Sequence, residues 1–317
     1  MTVSDEERAW LKRLGGSAAP LKATEKAAAT IEKRKGLGFG DVAGMEELKQ
    51  TVREGFINVL RNKERAAAYG IRPPSMLLWG PSGCGKTFFA EKMAEEAGVR
   101  FIRIVPDDLA STWVHGTQQR IAEVFSKAEK EAPVVLFFDE FDAMVPRRTS
   151  EESGQCLCGE VNEFLCRLQQ AGERGVYVLA ATNHPERIDR SVLRTGRIDE
   201  LVYVDMPDLE ARQRLFRLAL SRLPSDGGID YERLARLTAG YNCSDIDYII
   251  KTASRKTFNE SIAHETPELP GITQDALETA ILRRSPSVLE KDLREYERVR
   301  LELSPRQAQG QRRLGFR

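Results

Sequence analysis

Short apolar runs alternate with longer stretches of helical period from residue 75 onward. The runs are Met76-Leu77-Leu78-Trp79, Phe101-Ile102-Arg103-Ile104, the Val-Val-Leu-Phe-Phe segment at 134–138, and the segments at 176–180 and 201–204. Strands that are apolar at successive positions are covered on both faces, and their alternation with helices predicts an α/β fold with a parallel sheet sandwiched by helices. After Pro207 the strand-like runs stop. Helical periods at 209–221, 230–239, 243–261 and 273–282 predict a small all-helical lid domain, and a last helix is expected over 288–303.

Upstream of the first strand the pattern changes. Gly36, Gly38 and Gly40 raise the glycine density to that of a linker, and Asp41 stands where it would cap a long helical pattern over 45–68. Within 1–36, Ser4 and Glu7 make a capping box ahead of a short helix carrying Trp10, Leu11 and Leu14, closed by Gly15-Gly16. The tail 304–317 holds Arg306, Arg312, Arg313 and Arg317 with no acidic residue, a disordered composition. The expected organisation is a short helical N-terminal segment (1–36), a large α/β domain (37–208), the helical lid (209–287), and a C-terminal helix with basic tail (288–317). No internal repeat is present.

Composition narrows the function classes. At 317 residues the chain has room for about two domains. Its 48 basic and 48 acidic side chains cancel, which argues against electrostatic capture of nucleic acid or anionic membrane. The basic tail adds no stacking platform beyond Phe316, so nucleic acid is not an expected partner. No apolar run approaches a membrane span, and Asp5, Glu6 and Glu7 replace the basic start of a secretory signal, so a cytoplasmic location is expected. Cys156 and Cys158 lack a spaced second pair and do not make a zinc site, and the three histidines include no His-Glu-x-x-His.

Candidate chemistry begins where the first apolar run enters Gly80-Pro81-Ser82-Gly83-Cys84-Gly85-Lys86-Thr87, followed by a helical stretch from Phe88. A glycine-rich loop between strand and helix lets backbone N–H groups curl around phosphates at a helix N-terminus. Lys86 would neutralise the outer phosphates and Thr87 would reach magnesium. The run at 134–138 ends in Asp139-Glu140, at the strand edge where open α/β sheets bind ligands. Asp139 would hold magnesium and Glu140 would polarise the attacking water. The run from Val176 ends in Asn183, a neutral amide able to orient water without repelling phosphate. Arg194 and Arg197 share one loop, suited either to surface ion pairs or to arginine fingers supplied to a neighbour.

Taken in order, these segments closely resemble the AAA ATPases of the AAA+ superfamily over roughly residues 38–303. The resemblance implies ATP or ADP with magnesium as ligands, at a site formed by Pro81, Ser82, Gly83, Cys84, Gly85, Lys86, Thr87 and Phe88. It implies base contacts from Asp41, Val42 and Ala43, a sensor role for Asn183, and Arg194 with Arg197 acting across the interface of a homo-oligomeric ring, commonly a hexamer. The lid turn, usually Ser-Gly-Ala-Asp in that family, is Asn242-Cys243-Ser244-Asp245 here, with nucleotide contacts expected from Cys243 and Ser244. Ile198 stands where the family generally has phenylalanine.

Trp113 and Val114 align with the family's aromatic-hydrophobic pair that grips a protein substrate in the central pore; the alternative is Trp113 packed beneath the next helix. His115 falls where the family has glycine. The segment 285–297 is most like the group of katanin, spastin and the endosomal-sorting disassembly ATPases, with similar segments in segregases. The resemblance implies a ring motor that unfolds or disassembles proteins; where those relatives carry a folded adaptor domain before the motor, residues 1–36 supply only one or two helices, expected to anchor a separate adaptor. A motor serving a separate peptidase, suggested by the ending Gly315-Phe316-Arg317, and a nucleotide-controlled scaffold stay open as alternatives.

Overall fold

The computed structural model describes residues 37–109, 116–147, 155–194, 196–263 and 269–303, all within one unit that starts at Leu37. Five strands form one sheet: β1 (Met76–Trp79), β2 (Arg100–Ile104), β3 (Val134–Phe138), β4 (Val176–Thr182) and β5 (Glu200–Tyr203). Their spatial order is β2-β3-β4-β1-β5, and every neighbouring pair is parallel. The register pairs Trp79 with Thr182, and Phe138 with both Ala180 and Ile104. The carboxyl ends of β1, β4 and β3 therefore lie side by side.

The strands alternate their side chains between two buried faces. Val134, Leu136 and Phe138 point into a cluster with Leu77, Phe125, Phe141 and Phe164, while Val135 and Phe137 point the other way, to Met76, Leu78, Phe56 and Phe89. The two-residue period of a strand makes this division, and helices on both faces explain why β1 and β3 are apolar throughout. Helix α1 (Glu46–Val52) and helix α2 (Lys86–Ala97) cover one face; α3 (Gly116–Lys130) and α4 (Gln155–Ala171) cover the other.

Beyond β5 the described chain is helical: α5 (Leu209–Leu220), α6 (Tyr231–Leu237), α7 (Cys243–Ala263), α8 (Gln274–Leu282) and α9 (Glu290–Leu303). The first four enclose a third core around Phe216, Leu234, Ile249 and Leu277. Asp208, Asp230 and Thr273 cap α5, α6 and α8 by accepting from Ala211, Arg233 and Ala276 N–H groups. Among the described residues no helix is long and apolar enough to cross a membrane.

Two expectations need correcting. The glycine-rich stretch near residue 38 is not a linker: Gly38–Asp41 forms a 3₁₀ turn, and Phe39 is 2% exposed, stacked on Phe89 with ring centroids 5.2 Å apart. Burial of that one aromatic outweighs the flexibility of its glycine neighbours. Nor does Asp41 cap a continuous helix over 45–68. Helix α1 starts at Glu46 behind a left-handed Met45, passes into a π-helical turn (Arg53–Ile57) that buries Phe56 and Ile57, and breaks at Asn62 before Lys63–Ala68. The Ser4–Glu7 capping box, the expected pore residues Trp113 and Val114, Thr195 and the tail from 304 lie outside the described residues.

Candidate active site

The phosphate loop turns out of β1 and into α2 at the sheet's carboxyl edge. Gly83 has φ 73°, a conformation that L side chains rarely adopt, and a Cβ there would stand 2.5 Å from the Asn242 amide. Glycine is needed twice over, for the turn and for the approach of the lid. Lys86, buried at the first position of α2, donates to the carbonyl oxygens of Gly80 (2.9 Å) and Pro81 (2.8 Å). Burial pulls its ammonium down to about 8, against the pull of the Asp139 carboxylate. Lys86 is thus held inside the loop by neutral oxygens, ready to exchange them for an anion.

Thr87 and the end of β3 supply hard oxygen. The Thr87 hydroxyl donates to Asp139 Oδ2 at 3.1 Å, and the same oxygen accepts from Arg103 through Nη2 (2.6 Å) and Nε (3.1 Å). Asp139 Oδ1 accepts from the Glu140 backbone N–H at 3.1 Å. Glu140 itself has φ 51° and an exposed side chain. A non-glycine residue in the left-handed region carries strain, and strained backbone concentrates at sites where a side chain must be aimed. A hydroxyl and a carboxylate converging beside a cationic loop are the donor set magnesium prefers, one or two protein oxygens with the rest from phosphates and water. These residues fit that ion.

At the end of β4, Thr182 donates to Asp142 Oδ1 (2.5 Å) and accepts from His184 N–H (2.8 Å), tying this strand to the turn that carries Glu140. Asn183, half-buried just beyond the strand, accepts through its carbonyl from the Tyr296 hydroxyl of α9 at 3.0 Å. Arg194 is exposed, and Arg197 donates to Ser191 O at 2.6 Å rather than to the phosphate loop. Among the described residues neither is hydrogen-bonded to the phosphate loop.

The lid reaches the loop through backbone carbonyls. Asn242 Nδ2 donates to Ser82 O (3.0 Å), Ser244 N to Gly83 O (3.1 Å), and Cys243 Sγ to Cys84 O (3.6 Å). Burial raises the Cys84 thiol to about 12 and the Cys243 thiol to about 11, so both stay protonated at neutral pH. A cavity of about 540 Å³ opens beside this turn, lined by Ala43, Gly44, Met45, Met206, Pro207 and Cys243 among others, with room for a purine. Val42 and Ala43 are buried next to it, and Val42 O accepts from the buried Lys49 Nζ at 2.8 Å. The Asp41 carboxylate is engaged elsewhere, by Lys92 at 3.0 Å and by Arg222 from the loop after α5. Burial opposes its charge, yet the bonds from Lys92 and Leu37 and the charges of Lys92 and Arg222 hold its carboxyl below the ordinary value. Phe88, next to Thr87, is half exposed, with Lys92 over its ring.

Sequence reasoning had no signal for the groups that hold the lid turn. Asp245 is fully buried and accepts from Arg284 through Nε (2.8 Å) and Nη2 (2.6 Å), from Ser287 N (3.0 Å) and from the Ser287 hydroxyl. Burial works against its charge, but the bonds from Ser287, Arg284 and Asn242 keep the carboxyl below its usual value. Arg103 and Tyr296 were equally silent, because each acts on a residue far along the chain.

A parallel sheet whose first strand runs into a glycine-rich loop closed by Lys86-Thr87, with an acidic strand end opposite, defines a P-loop nucleoside-triphosphate-binding domain. Residues 76–206 match the family described as "ATPase family associated with various cellular activities (AAA)", and that segment is an AAA ATPase domain. It is also 34% identical over 269 residues to a "Cell division cycle protein 48 homolog" of Archaeoglobus fulgidus, an alignment covering 82% of this chain and 37% of that protein. The chain therefore spans well under half the length of that relative.

Proposed function

We propose that the chain is a protomer of a homo-oligomeric, hexameric ring that hydrolyses ATP to unfold or disassemble protein clients in the cytoplasm. The observation that carries this reading is the meeting of Lys86, Thr87, Asp139 and Glu140 at one sheet edge, under a lid turn that rests on the loop's carbonyl oxygens. Lys86 would leave the carbonyls of Gly80 and Pro81 for the outer phosphates, and Thr87 with Asp139 would hold magnesium. Magnesium bound there supplies positive charge to the phosphate oxygens as the transferred group departs. Glu140 polarises the attacking water, and Asn183 orients it from the neighbouring strand end.

Arg194 and Arg197 act on a neighbour's nucleotide in this reading; the exposure of Arg194 and the absence of either from its own phosphate loop support it. Threading past Trp113 and Val114 extends the proposal from the ATPase to its work, and kinship with a cell-division-cycle protein 48 homolog supports a remodelling role. The membership of the katanin and spastin group belongs here as well, on the likeness of residues 285–297. The test is a trap: Glu140→Gln is purified from its host with ATP, and co-purifying proteins are identified by mass spectrometry against Glu140→Gln/Trp113→Ala. Clients retained only with Trp113 present establish threading. The same partners on both proteins would instead show a nucleotide-controlled scaffold.

A further inference from the structure

Arg103 has no part in the chemistry above, yet its guanidinium approaches the proposed magnesium ligand, Asp139, to 2.6 Å. It lies on β2 at the register position opposite Phe137, one residue before the Ile104 carbonyl that accepts from Asp139 N–H at 2.9 Å. From there its guanidinium closes on a single oxygen, Asp139 Oδ2, through two nitrogens, while Thr87 supplies a third donor to that oxygen. Three donors crowd Oδ2, while Oδ1 takes only the Glu140 N–H. Magnesium approaching Asp139 from the Thr87 side would compete with the Arg103 guanidinium for Oδ2 and for the carboxylate charge.

The exposures of the two partners differ in a way that suits exchange. The Asp139 side chain is 14% exposed, so its charge needs a partner at all times, whereas that of Arg103 is 53% exposed and leaves for water at little cost. We infer that Arg103 is a charge-balancing placeholder: it neutralises Asp139 while the metal is absent and yields that carboxylate to magnesium when the metal arrives. Arg103 is thus a positioning residue that sets how strongly nucleotide binding depends on magnesium. Without it, a bare carboxylate would face the phosphates whenever magnesium is missing, and magnesium would meet no competitor when present.

The inference rests on the assignment of Thr87 and Asp139 as the magnesium site, and the experiment separates the two. A fluorescent ADP analogue is titrated against the full chain in EDTA and across a magnesium series, using wild type, Arg103→Gln and Arg103→Lys, with melting curves to verify folding. In EDTA, Arg103→Gln is expected to bind at least about fivefold more weakly than wild type, the scale of one partly exposed charge pair. Its half-saturating magnesium concentration falls below that of wild type, and Arg103→Lys restores the EDTA affinity. A wild type that responds to magnesium while Arg103→Gln tracks it in both series overturns the placeholder and leaves the metal site standing. Equal loss in EDTA and in saturating magnesium overturns it too, because that pattern reports a general distortion. A wild type indifferent to magnesium overturns the metal assignment and the placeholder together.

Discussion

The phosphate loop and the lid turn face each other across a few ångströms, but they are held in place by different means. Between Gly80 and Thr87 the loop is fixed by its own backbone, with Lys86 bonded to carbonyls only five and six residues earlier. The turn at 242–245 is fixed by partners between 39 and 161 residues away: Arg284, Ser287, Ser82, Gly83 and Cys84. A local device survives wherever its segment is placed, whereas an assembled one depends on the position of every contributing element. The loop is therefore the constant part of this site and the lid the adjustable part, since loss of Arg284 or Ser287 loosens the turn without touching the loop.

The largest expected effect is on the local side. Lys86→Ala removes the one buried cation of the loop, and nucleotide affinity is expected to fall by about 100-fold or more, measured by titration with a fluorescent nucleotide. The pH profile sharpens the point. Burial pulls Lys86 down to about 8, so below that pH the lysine is already charged, and above it a proton must be taken up along with the phosphates. Affinity should be flat on the acid side and weaken as pH rises past about 8, by up to about tenfold per unit. A profile flat through that range would show that another group carries the charge.

On the assembled side, Asp245→Ala leaves Arg284 without its carboxylate and Ser287 without its acceptor, and is expected to lower unfolding free energy by about 3 kcal/mol. Asp245→Asn keeps an acceptor and a donor in place and should lose less. Because partners hold the Asp245 carboxyl below its ordinary value, its contribution is present above the ordinary carboxylate range and is lost as pH falls through the folded value. Denaturant melts of both variants at neutral and acid pH test this: the gap between wild type and Asp245→Ala should close on acidification.

Gly83 belongs to both sides, so its substitution breaks the comparison itself. Gly83→Ala imposes a side chain on a φ of 73° and drives a methyl toward Asn242 at 2.5 Å, with a combined cost of about 1–3 kcal/mol. The expected outcome is a displaced lid turn, read as faster amide exchange over 242–245 while α2 keeps its protection. Unchanged exchange in the lid would mean that the loop yields instead.

The same contrast decides what was legible in the sequence. Strand β1, the loop through Thr87 and the acidic end of β3 were readable because apolar runs, glycines and the following helix lie together along the chain. The sheet's parallel character followed from the alternation of apolar runs with helical periods. What stayed hidden depended on contacts between distant segments. The glycines around Gly38 and Gly40 suggest a linker until Phe39 is seen stacked on Phe89, and the helical period over 45–68 gives no sign of the π-helical turn that seats Phe56. Asp41 carries the composition of a cap, yet its carboxylate is taken by Lys92 and by Arg222, which is 181 residues later. Asp245 stands inside the lid-turn motif, but nothing in that motif announces Arg284.

The smallest effect concerns a contact that α9 makes with a predicted site residue. Tyr296 donates its hydroxyl to Asn183 O at 3.0 Å, and Arg300, one turn on, lies over the Tyr203 ring at 5.0 Å, so α9 touches the carboxyl ends of both β4 and β5. Burial raises the Tyr296 hydroxyl to about 12, which keeps it a donor throughout the working range. Tyr296→Phe preserves the ring and removes only that bond, at a cost of about 1 kcal/mol to stability. If Asn183 orients water, its backbone must be held still, and turnover should drop several-fold while fluorescent-nucleotide affinity stays at the wild-type value. Loss of affinity in step with turnover would place Tyr296 among the groups that shape the nucleotide pocket, and the assembled side of the site would then extend from the lid turn to α9.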